Sequence, residues 1–219
     1  MPDDAPKPHD WSADIAASYD RVAGPYAAEY FDELSRKPFD RELLTRFARG
    51  LPEGARVCDI GCGPGHIARY LAGEGLDPIG VDLSAAMVET ARRLNPGLHF
   101  VQSDMLQLPF ADHWFAGLTA FYSMIHIERS ILPQALAELY RVLAPGGRVL
   151  LTFHAGEGEL HLDELFGETV VFHITFFSSP EMARAVGEAG FQVEESVERE
   201  PYEFEYQSRR AYINAYRPQ

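Results

Sequence analysis

RVCDIGCGPGHIARYL, residues 56–71, is the stretch on which the reading of the whole chain turns. Val57, Cys58 and Ile60 form an apolar run of strand length, closed by Asp59 and the glycines Gly61, Gly63 and Gly65. From Ile67 the spacing changes: Ile67, Ala68 and Leu71 recur at a helical period. A strand, a glycine turn and a helix together present backbone N–H groups and the positive end of a helix to a bound ligand. The glycines let the backbone bend sharply and approach that ligand where a Cβ would collide.

The dinucleotide fingerprint G-x-G-x-x-G fits at Gly61 and Gly63, but its third slot falls on His66 and Gly65 comes one residue early. Downstream, DPIGVDLS supplies a second short strand ending at Asp82, with Ser84 placed to cap the next helix. Asp82 lies about 20 residues beyond the first glycine, where a βαβ unit returns an acid to the ribose of a bound nucleoside. Such a carboxylate accepts hydrogen bonds from ribose hydroxyls of NAD and of S-adenosylmethionine alike, so the spacing leaves both open.

Composition narrows the class of protein. With 219 residues the chain is long enough for one α/β domain with a sizeable core. The formal charge of −14 disfavours nucleic acid and anionic membrane surfaces and suits a small-molecule substrate. No apolar run approaches the roughly 20 residues of a transmembrane helix. The opening MPDDAPKPHD (1–10) reads as a disordered polar tail rather than a signal peptide. The two cysteines, Cys58 and Cys62, read as core-filling residues of a cytoplasmic protein and are too few for a cysteine metal site. The expected location is therefore cytoplasmic, with no membrane or nucleic-acid partner and the oligomeric state open.

Residues 11–51 have a helical pattern, interrupted near Gly24-Pro25 and Lys37-Pro38, with Tyr19, Val22, Tyr26, Tyr30 and Phe31 on an aromatic face. That face either packs on the domain or forms a lid over a ligand. A helix after Pro38 turns Phe39, Leu43, Leu44 and Phe47 inward. Further strands are expected at 98–102 and 115–121, followed by an amphipathic helix with Leu132, Leu136, Leu139 and Leu143 on one face. A Pro-Gly-Gly turn leads into a fifth strand ending near His154. Residues 156–177 read as an irregular insertion rich in His and Phe. Ser179-Pro180-Glu181 is a helix start, Gly190 a stop, and FQVEESVERE and SRRAYINAYRP are two terminal strands, antiparallel at the sheet edge.

Taken jointly, VCDIGCGPGH, VDLS, SDM, FYSMIH and LAPGGRVLL resemble, in order and spacing, the class I S-adenosylmethionine-dependent methyltransferases of the small-molecule type. One departure is Ala116, where the family commonly carries an Asp early in the fourth strand. The resemblance implies a Rossmann-like α/β fold: a seven-stranded, mostly parallel sheet with an antiparallel terminal strand, helices on both faces and an N-terminal helical lid. It divides residues 11–219 into a lid (11–51), a cofactor-binding core (52–153), an insertion shaping the acceptor pocket (154–177) and a C-terminal helix with its strand pair (178–219).

Carried onto this chain, the resemblance implies S-adenosylmethionine held by the turn Gly61-Cys62-Gly63, with Gly61 and Gly63 at the methionine moiety. Asp82 is expected at the ribose, Leu83 at the adenine face, Asp104 and Met105 at the adenine edge, and the Phe121 backbone near the methionine amino group. Lys37 is assigned to the methionine carboxylate. Tyr19, Tyr26, Phe172 and Phe176 are candidates for the acceptor pocket.

The implied reaction is in-line displacement at a sulfonium methyl group by an oxygen or nitrogen of a small molecule, which calls for near-attack alignment and, for a protonated nucleophile, a base. His126, after the fourth strand, is the first candidate base and His154, after the fifth, the second, because parallel sheets place chemistry at the carboxyl ends of their strands. His154, His161, Asp163 and His173 share one region, but their spacing fits no compact ligand motif, so no metal is expected. The rival readings are an NAD-dependent oxidoreductase, which leaves the later motifs unexplained, and a non-catalytic S-adenosylmethionine-binding protein.

Overall fold

The computed structural model describes residues 11–219; the tail expected over 1–10 lies outside the described residues. Its centre is a seven-stranded sheet in the order β3-β2-β1-β4-β5-β9-β8. The strands are β1 (Arg56–Ile60), β2 (Asp77–Asp82), β3 (His99–Gln102), β4 (Phe115–Phe121), β5 (Leu143–Ala155), β8 (Gln192–Arg199) and β9 (Arg209–Tyr216). Strands β1 to β5 pair in parallel, and β9 runs antiparallel to both its neighbours, β5 and β8. The one reversed strand is thus inserted next to the edge, and β8 is the edge itself.

Neighbouring residues of one strand feed opposite faces. Val57 and Leu150 join Leu44, Phe47, Ile67 and Leu71 of α2 (Pro38–Arg49) and α3 (His66–Gly73) on one side. Cys58 and Leu151 join Leu136, Leu139, Met182 and Val186 of α5 (Leu132–Val142) and α6 (Ser179–Glu188) on the other. Strands covered on both faces need near-continuous apolar runs, which is why β1 and β5 read that way in the sequence.

Three local expectations are corrected. α1 (Trp11–Tyr30) continues through Gly24-Pro25 without a break. Pro25 removes a backbone donor, but the buried face of Val22, Ala23 and Ala27 holds the helix together across it. The break comes later, in a 3-10 turn (Glu33–Arg36) before Pro38. The insertion is not irregular: β6 (Glu159–Leu165) and β7 (Glu168–Thr175) form an antiparallel hairpin lying outside the main sheet. The alternation of β6 runs only from Glu159 to Asp163 before a register shift, and in β7 Val170, Val171 and Phe172 stand in one apolar run, so neither strand alternates over its whole length. Finally, the cap of α6 is Ser178 rather than Ser179, and with Glu181 it makes a reciprocal capping box.

The hairpin and α1 form one unit. The Val171 N–H donates to Ser18 Oγ at 2.8 Å, and Ile15 and Val22 pack on Val170 and Phe172. α1 is tied in turn to α4 (Ala85–Leu94): Asp20 accepts from Ser84 Oγ at 2.5 Å and from the Ala86 N–H at 3.0 Å. A carboxylate from one helix therefore caps the positive end of another.

Candidate active site

Strand order reverses between β1 and β4, and the crevice outside that point is where open parallel sheets bind ligands. Two cavities open there. The narrower is lined by Gly61 and Gly63, by Asp82 and Leu83, by Ser103, Asp104 and Met105, and by Phe121. The larger, about 260 Å³, is walled by the hairpin, α1 and the 202–210 segment. Tyr19, Tyr26, Tyr122 and His126 line both, so these four side chains are the partition between them.

The glycine turn is held by the Gly61 and Cys62 N–H groups, which donate to the Val81 carbonyl at 2.7 and 2.9 Å. Gly61 adopts φ 67° and a Cβ there would sit 2.3 Å from Ser123 Cβ; the backbone conformation and the space both require glycine. Gly63 adopts φ 51°, and a Cβ there would meet only the Tyr26 ring at 3.8 Å, so the backbone is open toward the partition. Asp82 Oδ2 accepts from the Gly63 N–H at 2.8 Å and Oδ1 from the Ser84 N–H at 2.9 Å. Burial pushes the Asp82 pKa up to about 6, against the pull of those N–H donors. Asp104 Oδ1 accepts the Leu106 N–H at 2.8 Å, which shapes the loop that carries it into the cavity. A buried carboxylate at one end, an acid on a turned loop opposite and apolar walls between them match a nucleoside's sugar, base edge and base face.

Two residues expected at the cofactor, Cys62 and Lys37, do not line the narrower cavity. The Cys62 side chain packs with Ala68, Val88, Ala91 and Phe100 behind the turn. Lys37 lines the larger cavity, where Nζ pairs with Glu33 at 2.7 Å and Glu205 at 3.1 Å. Those acids belong to a buried network: Glu205 also holds Arg199, Arg199 holds Asp40, and Glu33 accepts from His66 Nε2 at 3.1 Å. Tyr19, Tyr26, Phe172 and Phe176 all line the larger cavity.

The two histidines differ in state. His126 Nδ1 faces the His173 carbonyl at 3.3 Å, and a carbonyl only accepts, so Nδ1 carries the proton. Its Nε2 lone pair then takes the Tyr19 O–H at 2.7 Å. Burial pushes the His126 pKa down to about 4 and raises that of Tyr19 well above its usual value, so both are neutral near pH 7. His154 is fixed the other way. Arg210 Nη1 lies 2.9 Å from its Nδ1, and a guanidinium only donates, so Nδ1 bears the lone pair and Nε2 the proton. Burial, then the Arg210 and Lys37 cations, push its pKa down to about 3. An imidazole with its lone pair already taken by arginine has none left for a substrate proton.

Sequence reasoning did not single out Tyr122, Glu33, Glu205 or Arg210. Glu33 and Lys37 do stand four apart with opposite charge, a legible ion-pair signal. Arg210 occupies an inward position of a strand that otherwise buries Ala211, Tyr212 and Ile213, and a charge in such a run marks a built site. Tyr122, at φ 53° just past β4, carries a strain that no sequence pattern reveals.

Among the described residues no helix is long and apolar enough to cross a membrane. Residues 57–147 match the model of a methyltransferase domain family. A demethylmenaquinone methyltransferase of Beutenbergia cavernae is 31% identical over 84% of this chain and 75% of its own length. A malonyl-[acyl-carrier protein] O-methyltransferase of Enterobacter lignolyticus is 36% identical over 65% of this chain and 54% of its own, so the chain spans about half of that relative. In fold, the chain is similar to DhpI in its complex with SAH, with a TM-score of 0.75 at 18% identity, covering 96% of this chain and 98% of that one.

Proposed function

This chain belongs to the class I S-adenosylmethionine-dependent methyltransferases, with S-adenosylmethionine as methyl donor, and we propose that it methylates an oxygen or nitrogen of a small molecule held in the larger cavity. The observation that carries this reading is the shared partition. Tyr19, Tyr26, Tyr122 and His126 face a nucleoside-shaped slot on one side and a partly aromatic pocket on the other. Reaction between a donor and an acceptor held apart in this way needs them to meet at that partition.

In this reading Gly61 and Gly63 approach the donor with bare backbone, Asp82 accepts from its ribose, Leu83 covers one face of its base, and Asp104 with Met105 reads the base edge. Phe121 contributes backbone at the end of β4. Cys62 holds the turn from behind, and Lys37 works on the acceptor side. The bound cofactor supplies a sulfonium methyl group open to in-line displacement. What the chain adds is alignment and a proton acceptor. The Tyr19 oxygen can accept a hydrogen bond from an acceptor's O–H or N–H while its own proton is turned toward His126 Nε2. A His126 pKa of about 4 makes this a weak base, suited to orienting a nucleophile and taking its proton late, as the nucleophile bonds to carbon and becomes acidic. His154 has no such role here.

Residues 11–51 act as the lid, 52–153 as the cofactor core, 154–177 as the acceptor wall and 178–219 as the flank that brings in Arg199, Glu205 and Arg210. The acidic surface favours a small molecule over nucleic acid or an anionic membrane as partner. The reduced, buried cysteines fit a cytoplasmic setting.

The test is calorimetry with S-adenosylhomocysteine and NAD, followed by methyl transfer from labelled S-adenosylmethionine across a panel of phenols, acids and amines. Binding of the first alone, with label moved to an oxygen or nitrogen, is the expected result. Tight binding with no turnover on any acceptor would instead favour a non-catalytic role.

A further inference from the structure

The far wall of the larger cavity is built around His154, a residue for which the proton-accepting role has just been set aside. Its Nδ1 faces Arg210 Nη1 at 2.9 Å and Ser208 Oγ at 2.7 Å, and Arg210 Nη1 also donates to that Ser208 Oγ at 2.7 Å. Arg210 is itself fixed by the Ser208 and Tyr206 carbonyls at 2.8 and 2.9 Å, and is 3% exposed. Its Nε is buried without a hydrogen-bond partner, with Glu205 Oε1 no nearer than 3.7 Å. The imidazole is thereby locked in one tautomer, its Nε2–H has no hydrogen-bond partner among the described residues, and the ring lines the cavity. A donor held so rigidly, at the wall of a pocket whose Tyr, Phe and Leu side chains are joined by Glu29, Glu33, Arg36, Lys37, Glu205 and Arg210, is a recognition element.

We propose that His154 Nε2–H binds a carboxylate oxygen at the end of an otherwise apolar or aromatic methyl acceptor, making His154 a specificity-determining residue. This rests on the reading of the larger cavity as the acceptor site. The sign of the ligand group follows from the surroundings. Arg210 Nη1 stands 2.9 Å from His154 Nδ1, with Glu205 Oε1 3.7 Å from Arg210 Nε, so a cation directly flanks the ring, in keeping with the downward push of Arg210 on its pKa. A field that disfavours a proton on the ring favours an anion beside it. Glu33 and Glu205 lie against Lys37 at 2.7 and 3.1 Å and Glu205 also against Arg199, whereas Glu205 is 3.7 Å from Arg210, so the acids are taken up by Lys37 and Arg199 and Arg210 is the cation left beside the ring. The position also suits recognition rather than chemistry. The His154 ring packs 5.2 Å from that of Tyr122, one side chain away from the partition where His126 stands. The body of the acceptor would lie against Phe176 and Tyr206, whose rings are 5.9 and 5.8 Å from His154.

The experiment is calorimetry on the full chain saturated with S-adenosylhomocysteine, using 3-phenylpropanoate and its charge-reversed counterpart 3-phenylpropan-1-amine as probes. The acid binds at least about tenfold tighter than the amine, as one charge-assisted hydrogen bond provides. His154→Leu loses about tenfold for the acid, while His154→Gln, which keeps an N–H donor on a side chain of similar reach, recovers most of it. In the parent protein, ¹⁵N spectra of the histidines show the Nε2–H tautomer at His154, and its N–H signal moves when the acid is added. Preference for the amine, unchanged acid binding in His154→Leu, or the opposite tautomer overturns the proposal. If S-adenosylhomocysteine binds and the acid does not, this inference fails alone. If S-adenosylhomocysteine does not bind the parent protein, the reading of both cavities fails with it.

Discussion

The Tyr19 hydroxyl lies 2.7 Å from His126 Nε2, joining the N-terminal helix α1 to the loop after β4 across the line where the two cavities meet. The histidine is held from behind by the His173 carbonyl of β7, so α1, hairpin and core converge on one imidazole. A pair assembled from three separate elements exists only when all three are packed together. Tyr19→Phe and His126→Ala are each expected to lower kcat by about 100-fold, within the range for a positioned proton acceptor, with S-adenosylhomocysteine affinity within about twofold of the parent. If the two act as one unit, the double variant loses little more than either single one, and a double-mutant cycle in kcat checks this.

Burial sets the pH range of that pair. With its pKa pushed down from 6.5 to about 4, His126 keeps its Nε2 lone pair throughout the neutral range. At saturating donor and acceptor, kcat is therefore expected to stay flat from pH 8 down to about pH 5 and to fall only as pH approaches 4. A kcat profile that breaks at 6.5 would show an imidazole in water instead.

Asp82 titrates in the opposite direction and governs a different step. Its burial raises the pKa from 3.8 to about 6, and only the ionised form can accept hydrogen bonds from ribose at both oxygens. S-adenosylhomocysteine affinity is expected to fall by up to about tenfold per pH unit below pH 6. Asp82→Asn weakens binding at pH 7.5 and flattens that dependence, which calorimetry at three pH values resolves. In the ligand-free protein the sign reverses. A group whose folded pKa is raised above its unfolded value binds protons more readily when folded, so its contribution to stability grows as pH falls from above 6 toward 3.8.

At the turn, Gly61→Ala places a Cβ 2.3 Å from Ser123 Cβ on a backbone at φ 67°. Overpacking costs about 1–3 kcal/mol and a non-glycine residue at positive φ about 1–3 kcal/mol more. A loss of several degrees in Tm is expected, together with weaker S-adenosylhomocysteine binding. Adding Ser123→Gly relieves the clash but not the φ penalty, so only part of the Tm returns.

Much of this was legible in the chain because parallel strands covered on both faces write themselves as apolar runs, and β4 is found at Phe115–Phe121 as read. The glycine turn, Asp82 and the Ser84 cap are local chemistry and are read locally. What escaped was decided by tertiary contact. Gly24-Pro25 looks like a break until α1 is seen bound along its length to the hairpin and α4. Nothing in the chain sets Arg210, 56 positions away, at the Nδ1 of His154. Nor does any pattern set Glu205 beside Lys37. Charge pairs between distant segments leave no periodicity to read.

That ion network yields the last expectation. Glu205 is 9% exposed and touches Lys37, Arg199 and Arg210. Although burial opposes ionisation, the Arg199 hydrogen bond, the Tyr202 N–H and the neighbouring cations hold its pKa down at about 2, against 4.5. A folded pKa below the unfolded one gives stability that is fully present above pH 4.5 and is lost as pH falls toward 2. Glu205→Gln leaves Lys37 and Arg199 buried with one partner fewer, which costs about 3–5 kcal/mol at pH 7. The difference from the parent shrinks as both are acidified below pH 4.5, because the parent then loses the same interaction by protonation. Urea unfolding at pH 7 and at pH 4 measures it. A difference that is independent of pH would mean that Glu205 acts through packing, with its charge contributing nothing.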